Sequence, residues 1–317
     1  MDTGKIDVIP MDKKQARAFA TFVAEEQLKK RVVKTRYLGG GSFGKAVSVQ
    51  TEDGGKTVIK FLCAHGMMEK EVHDLKLLKE HCPVKIPAVF FSRKYDNNIP
   101  ADCYGMEMIG GKSCLFALGM LMTSKSRRLD FADKITTALH SIHKCTNSRF
   151  GDTMSPDCES WLDYYRPFAE SVLEKAETLY GKDRLPQKVL KAMRAAWEKF
   201  DVIFSEQVKE ACLIHGDLNV GNIIVGKSYA VTGIIDPLNC MYADREYDLF
   251  QFDNLTGKRF FLRETYIRKY GASRYCMQKL AFYGLWNEVY CYIKSGMLIG
   301  LIINPLVKNM YRRLREL

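Results

Sequence analysis

The stretch His215-Gly216-Asp217-Leu218-Asn219-Val220-Gly221-Asn222 follows the apolar run 212–214 and leads straight into a second one, Ile223–Val225. Short apolar runs bounded by Gly, Asn and Asp read as buried strands joined by a polar loop. Within that loop Asp217 and Asn222 stand in a D-x-x-x-x-N spacing. A carboxylate and an amide on one loop can divide two tasks, the first accepting a hydroxyl proton and the second binding a metal ion. The next apolar run, 231–235, ends in Asp236, an acid placed to bridge Mg2+ to the phosphates of a nucleotide. Alone, Asp217 and Asp236 would pass for ordinary turn residues. The features upstream separate them from that reading.

Gly39-Gly40-Gly41-Ser42-Phe43-Gly44 satisfies G-x-G-x-x-G through Gly39, Gly41 and Gly44. A dinucleotide-binding turn would open a helix here, and a P-loop would need Ser or Thr where Ala46 follows Gly44-Lys45. Instead the period-two stretch 46–51, an Asp-Gly turn within 52–55 and another apolar strand at 56–62 follow, which is a hairpin. A glycine-rich flap between antiparallel strands leaves bare backbone amides, with Ser42 and Phe43 at its tip, to close over nucleotide phosphates. Lys60 lies inside the third strand, TVIKF, where a charge is costly unless paired. Glu71 is the expected partner because Leu75 and Leu78 give the following helix its packed face beside it, with Glu69 as the fallback. A simple hairpin tip and a lysine snorkelling to water explain either feature alone. They do not explain flap, lysine, glutamate, loop and terminal acid arriving in that order.

The layout predicted is α+β: a helix-like start at 15–30, strands at 32–38, 46–51, 56–62, 88–93 and 103–109, and a helix at 68–81. After Gly110-Gly111 the chain turns helical, with helices expected over 131–144, 161–180, 188–209 and the final third, 263–317. This is a β-rich N-lobe (1–105), a hinge (106–112) and a mostly helical C-lobe (113–317) carrying a small sheet.

The chain has 317 residues and a formal net charge of +11, which invites a polyanion partner. The densest basic patches, Lys29-Lys30-Arg31 with Lys34 and Arg36, and Arg312-Arg313 with Arg315, are short and broken by apolar residues, so a solvated face is expected and no nucleic-acid partner. Ten cysteines contain no C-x-x-C spacing, so neither zinc nor a disulfide framework is expected. The longest apolar run, 297–307, contains Asn304 and Pro305 and is too short to cross a bilayer. The expected setting is cytoplasmic, with no membrane partner. His140 and His143 share a helical face without a third ligand, and a packing role is expected of them.

HGDLNVGNIIV followed by IIDPLNCMYADREYDL resembles the aminoglycoside phosphotransferase and choline kinase superfamily of small-molecule kinases, and ALHSIHKCTNSRFGD with SWLDYY is similar to fructosamine kinases as well. The resemblance implies a protein-kinase-like bilobal fold and transfer of the γ-phosphate of ATP or GTP, with Mg2+, to a hydroxyl of a small polar molecule. It also implies roles: Asp217 as catalytic base, Asn222 and Asp236 as metal ligands, and Lys60 with Glu71 as the phosphate-holding pair. His215 and Asp248 become structural supports, and Glu107, Met108 and Ile109 offer backbone groups to the base. Asp253, Trp286, Asn287 and Glu288 are the polar and aromatic candidates for the acceptor. Pro237 after Asp236 and Arg245 in ADREYDL depart from the pattern common in antibiotic kinases and bear on the acceptor, not on the nucleotide. A nucleotide-binding module without turnover has no need of Asp217. A protein kinase lacks its A-P-E segment here.

Overall fold

The computed structural model describes residues 8–41, 44–254 and 256–317, so Ser42 and Phe43 of the expected flap lie outside the described residues. In chain order, helix α1 (Lys13–Leu28) precedes strands β1 (Val32–Gly40), β2 (Gly44–Thr51) and β3 (Lys56–Leu62). Helix α2 (Met68–His81), strands β4 (Val89–Arg93) and β5 (Cys103–Glu107) and the two-residue β6 (Lys112–Ser113) follow. Next come α3 (Lys125–His143), the short β7 (Thr146–Asn147) and β8 (Gly151–Asp152), and helices α4 (Trp161–Tyr180), α5 (Gln187–Trp197) and α6 (Phe200–Ile203). Strands β9 (Ala211–Ile214), β10 (Ile223–Val225), β11 (Val231–Ile234) and β12 (Met241–Ala243) lead to a 3-10 stretch at Arg245–Asp253. The chain closes with α7 (Leu262–Tyr270), α8 (Cys276–Ser295) and α9 (Gly300–Leu314). Two compact units result among the described residues: 8–117 with Asn222–Leu238, and Leu118–Gly221 with Asn239–Leu317.

The first unit is built on an antiparallel sheet in the order β1-β2-β3-β5-β4. Helix α1 opens with a capping box, Asp12 accepting from the Gln15 amide at 2.7 Å while the Gln15 side chain accepts from the Asp12 amide at 2.9 Å. Its buried residues, Ala16, Ala20, Val23 and Ala24, fall on one stripe and share a core with Val47, Val49, Ile59 and Phe61 of the sheet. Small side chains on the helix allow a close approach. Burying Ile59 and Phe61 contributes about 1.5–3 kcal/mol each. Because strand side chains alternate, fixing those two toward α1 turns Lys60 to the opposite face, where it stands opposite Ala46 on β2 and Tyr104 on β5. A second sheet, β11-β10-β6, holds the end of the hinge segment. Gly111 there sits at φ +134°, and a side chain would drive a Cβ to 2.5 Å from the Val225 carbonyl oxygen.

The second unit has a four-stranded sheet, β7-β9-β12-β8, and an aromatic interior. Trp161 stacks on Tyr165 at 5.1 Å and donates its indole N–H to the Tyr283 hydroxyl at 2.8 Å. Tyr283 in turn donates to Asp244 at 2.9 Å. The Lys279 ammonium, almost sealed from water, lies 2.5 Å from Asp244 and 2.8 Å from Glu246. Burial opposes the charge on Lys279, but the two carboxylates outweigh it and hold its pKa well above the ordinary lysine value.

The single helix predicted over 188–209 is instead α5 and the short α6, with no helix over 204–209. Lys199 leaves helical geometry (φ −105°, ψ 9°), which lets Trp197 and Phe200 pack at 4.9 Å. Strand β12 was not expected, because three residues carry too little periodicity to read. Among the described residues no helix is long and apolar enough to cross a membrane, and none of the ten cysteines is in a disulfide. Lys279→Met would leave two buried carboxylates without their cation. It is expected to cost about 3–5 kcal/mol in urea unfolding; a loss below 1 kcal/mol would mean that solvent reaches these groups.

Candidate functional site

In the first unit the Lys60 ammonium is gripped by two carboxylates, Glu71 of α2 and Asp236 just after β11. Glu71 is the partner, and the fallback Glu69 is turned instead to Lys94 at 2.9 Å. Lys60 and Glu71 are nearly sealed, at 12% and 11% side-chain exposure, whereas Asp236 is half-exposed at 50%. Burial opposes the Lys60 charge, yet Glu71, with Tyr104 and Asp236, holds its pKa well above the usual value. Burial raises Glu71 above the ordinary carboxylate range despite the ammonium beside it. Tyr104 was not foreseen. Its hydroxyl donates to Glu71 at 2.8 Å, and the signal for it was a hydroxyl-bearing residue in the middle of an apolar strand.

Asp236 has φ +63°, a left-handed conformation that costs an L-residue other than glycine about 1 kcal/mol. Asn222 is held next to it: its carbonyl accepts from Ile235 N at 2.9 Å and its side-chain amide donates to the Asp236 carbonyl at 3.5 Å. The Asn222 side chain thus meets the backbone of Asp236, although fourteen positions separate the two in sequence.

In the second unit the loop ahead of Asn222 is fixed from below. Asp248 is fully buried and accepts from the backbone amides of His215 (2.8 Å) and Gly216 (2.7 Å). Gly216 has φ +78°, which is why glycine stands between His215 and Asp217. Gln251 donates to the Gly216 carbonyl at 3.3 Å. The ring of His215 is fully buried, and its Nδ1 accepts from the Asp217 amide at 3.3 Å. Asn219 donates to the Asp217 carboxylate at 2.8 Å and accepts from Gly221 N at 2.7 Å. Gln251 and Asn219 were missed by sequence reasoning. The Asx-type pattern of Asn219 was a readable signal, while the long-range reach of Gln251 was not.

The remaining expectations divide. Glu107 ends β5 with its N–H donated to the Ala88 carbonyl at 2.8 Å and its carboxylate paired to Lys85 at 2.5 Å. Met108 and Ile109 follow beyond the strand, and the Gly110 carbonyl accepts from Thr232 Oγ1 at 2.8 Å. Of the three motif glycines, Gly39 has φ +158° on β1, and Gly41 N donates to the carbonyl of Gly44 at 3.1 Å. Trp286 is a correction: it is completely buried, stacks on Phe282 at 3.6 Å and donates its indole N–H to the Ala169 carbonyl at 2.8 Å, so the aromatic core of the unit claims it. Asp253 is paired to Arg263, and burial still raises its pKa. Asn287 and Glu288 are half-buried on α8; burial raises Glu288 and pushes the nearby Cys291 thiol up to about 12.

A model of the phosphotransferase enzyme family, APH, matches residues 34–283, most of the chain. The chain belongs to that family. This phosphotransferase has the bilobal protein-kinase-like fold, a β-rich unit and a mostly helical one. It is similar to a protein assigned as a fructosamine-3-kinase from Thermobifida fusca (16% identity, TM-score 0.66, covering 93% of this chain and 98% of that one). It is also similar to aminoglycoside 2'-phosphotransferase-IIIa, solved with GDP (13%, 0.68, 95% and 99%), and to macrolide 2'-phosphotransferase type I (15%, 0.60, 96% and 99%). No curated protein matches the chain by sequence.

Lys60→Met would leave burial acting on Glu71 without its ammonium, so its folded-state pKa would climb further above the unfolded value. A group raised in this way favours the fold below the unfolded pKa and loses that contribution as pH rises through the folded one. The variant is expected to lose about 3–5 kcal/mol near pH 8 and less near pH 5 in urea unfolding. Equal losses at the two pH values would show that Glu71 is not the charge left stranded.

Proposed function

We propose that this phosphotransferase moves the γ-phosphoryl group of ATP, with Mg2+, to a hydroxyl of a small polar molecule. The observation that carries the reading is the buried ammonium of Lys60, fixed by Glu71 and within reach of Asp236, itself beside Asn222. A lysine held in this way offers a localised positive charge to nucleotide phosphates. The amide oxygen of Asn222 and the carboxylate of Asp236 are hard oxygen donors, a set that suits Mg2+ and not a thiophilic metal. These two residues would hold the ion, which when bound neutralises charge on the β and γ phosphate oxygens. The backbone amides around Gly39, Gly41 and Gly44 cover the phosphates, and the segment Glu107, Met108 and Ile109 receives the base.

Asp217 carries the acceptor chemistry. As the acceptor oxygen bonds to the γ-phosphorus and the bond to the bridging oxygen of ADP breaks, the hydroxyl proton passes to the Asp217 carboxylate. Asn219 donates to one oxygen of that carboxylate and so orients it. His215 and Asp248 support the backbone beneath it.

The acceptor is better matched to a neutral or weakly charged hydroxyl compound, such as a sugar or ketosamine, than to a polycationic aminoglycoside or an amino-alcohol. A polycation needs unpaired carboxylates. In the second unit the charge of Asp244 is taken by Lys279 and that of Asp253 by Arg263, and burial raises the pKa of Glu288. The relatives span fructosamine, aminoglycoside and macrolide kinases, so the pairing of these carboxylates is what separates the options.

Asp217→Asn is expected to lower turnover of an accepted hydroxyl compound by about 10²–10⁴-fold while thermal stabilisation by ATP and Mg2+ persists. Unchanged turnover would remove Asp217 from the mechanism. Stabilisation by nucleotide with no product across sugars, ketosamines, amino-alcohols and aminoglycosides would favour a binding module. Stronger stabilisation by GTP would replace ATP as the donor.

A further inference from the structure

Strand β1 ends its sheet and pairs only with β2, so its outer edge is free among the described residues. No backbone group of residues 33–38 is bonded beyond that sheet among them. A free edge is a row of unmet N–H and C=O groups, a template for another extended chain. Both sides of this edge are basic. Thr35 stands opposite Val49, on the face that α1 covers, whereas Lys34 opposite Gln50 and Arg36 opposite Ser48 lie on the other face. On the α1 side a groove of about 430 Å³ is lined by Lys13, Lys14, Arg17, Thr21 and Thr35, with Arg17 donating to Thr35 Oγ1 at 3.0 Å. On the opposite side a cavity of about 150 Å³ is lined by Lys34, Arg36 and Lys56, with Ser48 and Gln50. All six cations are exposed, and none is ion-paired to a carboxylate among the described residues. Elsewhere in this unit Lys30 and Arg93 do have partners, Asp53 at 2.5 Å and Asp96 at 2.8 Å, and Asp12 at the head of α1 is committed to the Gln15 amide.

We propose that the free edge of β1 docks an acidic, extended segment of a partner protein, which adds to the sheet as a further strand. Backbone hydrogen bonds to the edge supply the affinity, and the flanking cations supply the preference for Asp and Glu. Successive side chains of an added strand turn to alternate faces. One set meets Lys13, Lys14 and Arg17, and the next meets Lys34 and Arg36. Acidic residues are therefore favoured at consecutive positions, not only at every second one. Val33, 57% exposed on the same strand, adds an apolar contact. A second copy of this chain is a poor occupant, because β1 laid against β1 sets Lys34 and Arg36 against cations, and like charges directly opposite repel. Nucleic acid would meet the cations but leave the row of N–H and C=O groups unanswered. Lysines on an edge also keep stray strands away, but a basic groove on each face goes further: it admits one sign of charge. None of the six cations belongs to the phosphoryl-transfer site, so the docking edge is independent of that chemistry.

The probe is a labelled, end-blocked peptide of about eight alternating Asp and Glu residues, titrated into the full chain at neutral pH and followed by fluorescence anisotropy. Only every second residue of an added strand turns its N–H to the neighbouring edge. A peptide N-methylated at alternate residues can point every methyl group away, and is expected to bind within about twofold of the parent peptide. N-methylation at consecutive residues blocks the edge in either register without changing the charge, and is expected to weaken binding about tenfold or more. This comparison uses the unaltered chain, so it does not depend on any variant folding. Arg17→Glu combined with Arg36→Glu, one change on each face, should also weaken binding about tenfold or more. Lys308→Glu with Arg315→Glu on α9, an equal change in net charge, should alter it about twofold or less. A single-stranded oligonucleotide of equal charge should bind at least about tenfold more weakly than the peptide. The proposal is overturned if the peptide does not bind, if the two methylated forms bind alike, if the α9 pair weakens binding as much as the β1 pair, or if the oligonucleotide matches the peptide.

Discussion

An ammonium placed in the middle of an apolar strand is the constraint around which the first unit is arranged. Lys60 is there because Ile59 and Phe61 on either side of it are committed to the α1 core, and strand alternation leaves it no other direction. Once there, its charge must be met locally, since desolvating an unpaired ammonium costs several kcal/mol. Helix α2 supplies Glu71, β5 supplies Tyr104 to hold Glu71, and the turn after β11 takes a left-handed conformation at Asp236. Three separate elements converge on one group. The result is a positive charge in fixed position that only a strong anion can share.

The second unit solves the opposite problem. Asp248 is a buried anion satisfied mainly by backbone amides, and its function is to shape a loop. Asp244 and Glu246 are buried anions satisfied by Lys279, and their function is to hold a helix against an aromatic core. That distinction bears on chemistry. Carboxylates that might have attracted a cationic acceptor are already consumed by structure, so the +11 charge of the chain is not offset by an exposed acidic pocket built from Asp244 and Asp253. Asp217 is half-exposed and steadied by Asn219.

Much of this was legible in the sequence because it rests on local rules. The Asp-Gly hairpin, the helix Met68–His81, the helix Trp161–Tyr180 and strand Ile223–Val225 follow from turn chemistry and periodicity. Glu71 was distinguished from Glu69 by helical phase alone. What was not legible depends on distance in the chain. Tyr104 and Gln251 act on residues 33 and 35 positions away, and no single-sequence pattern encodes such pairings. Trp286 misled for the same reason: an aromatic beside Asn and Glu on a helix looks like a binding edge until Phe282 and Ala169 are found to enclose it. The positive φ of Asp236 was also invisible, because Asp populates that region too rarely to be inferred and too readily to be excluded.

The central claim is that the paired Lys60 and the loop bearing Asp217 serve phosphoryl transfer to a small hydroxyl compound. Incubating the full chain with γ-labelled ATP and Mg2+ and a panel of neutral sugars and ketosamines, then following the label by chromatography, tests it most directly. Label on a small molecule, lost when Mg2+ is chelated or Lys60 is replaced by Met, is the predicted result. Label that stays on ATP with every hydroxyl compound, or moves only to polypeptide, would contradict it.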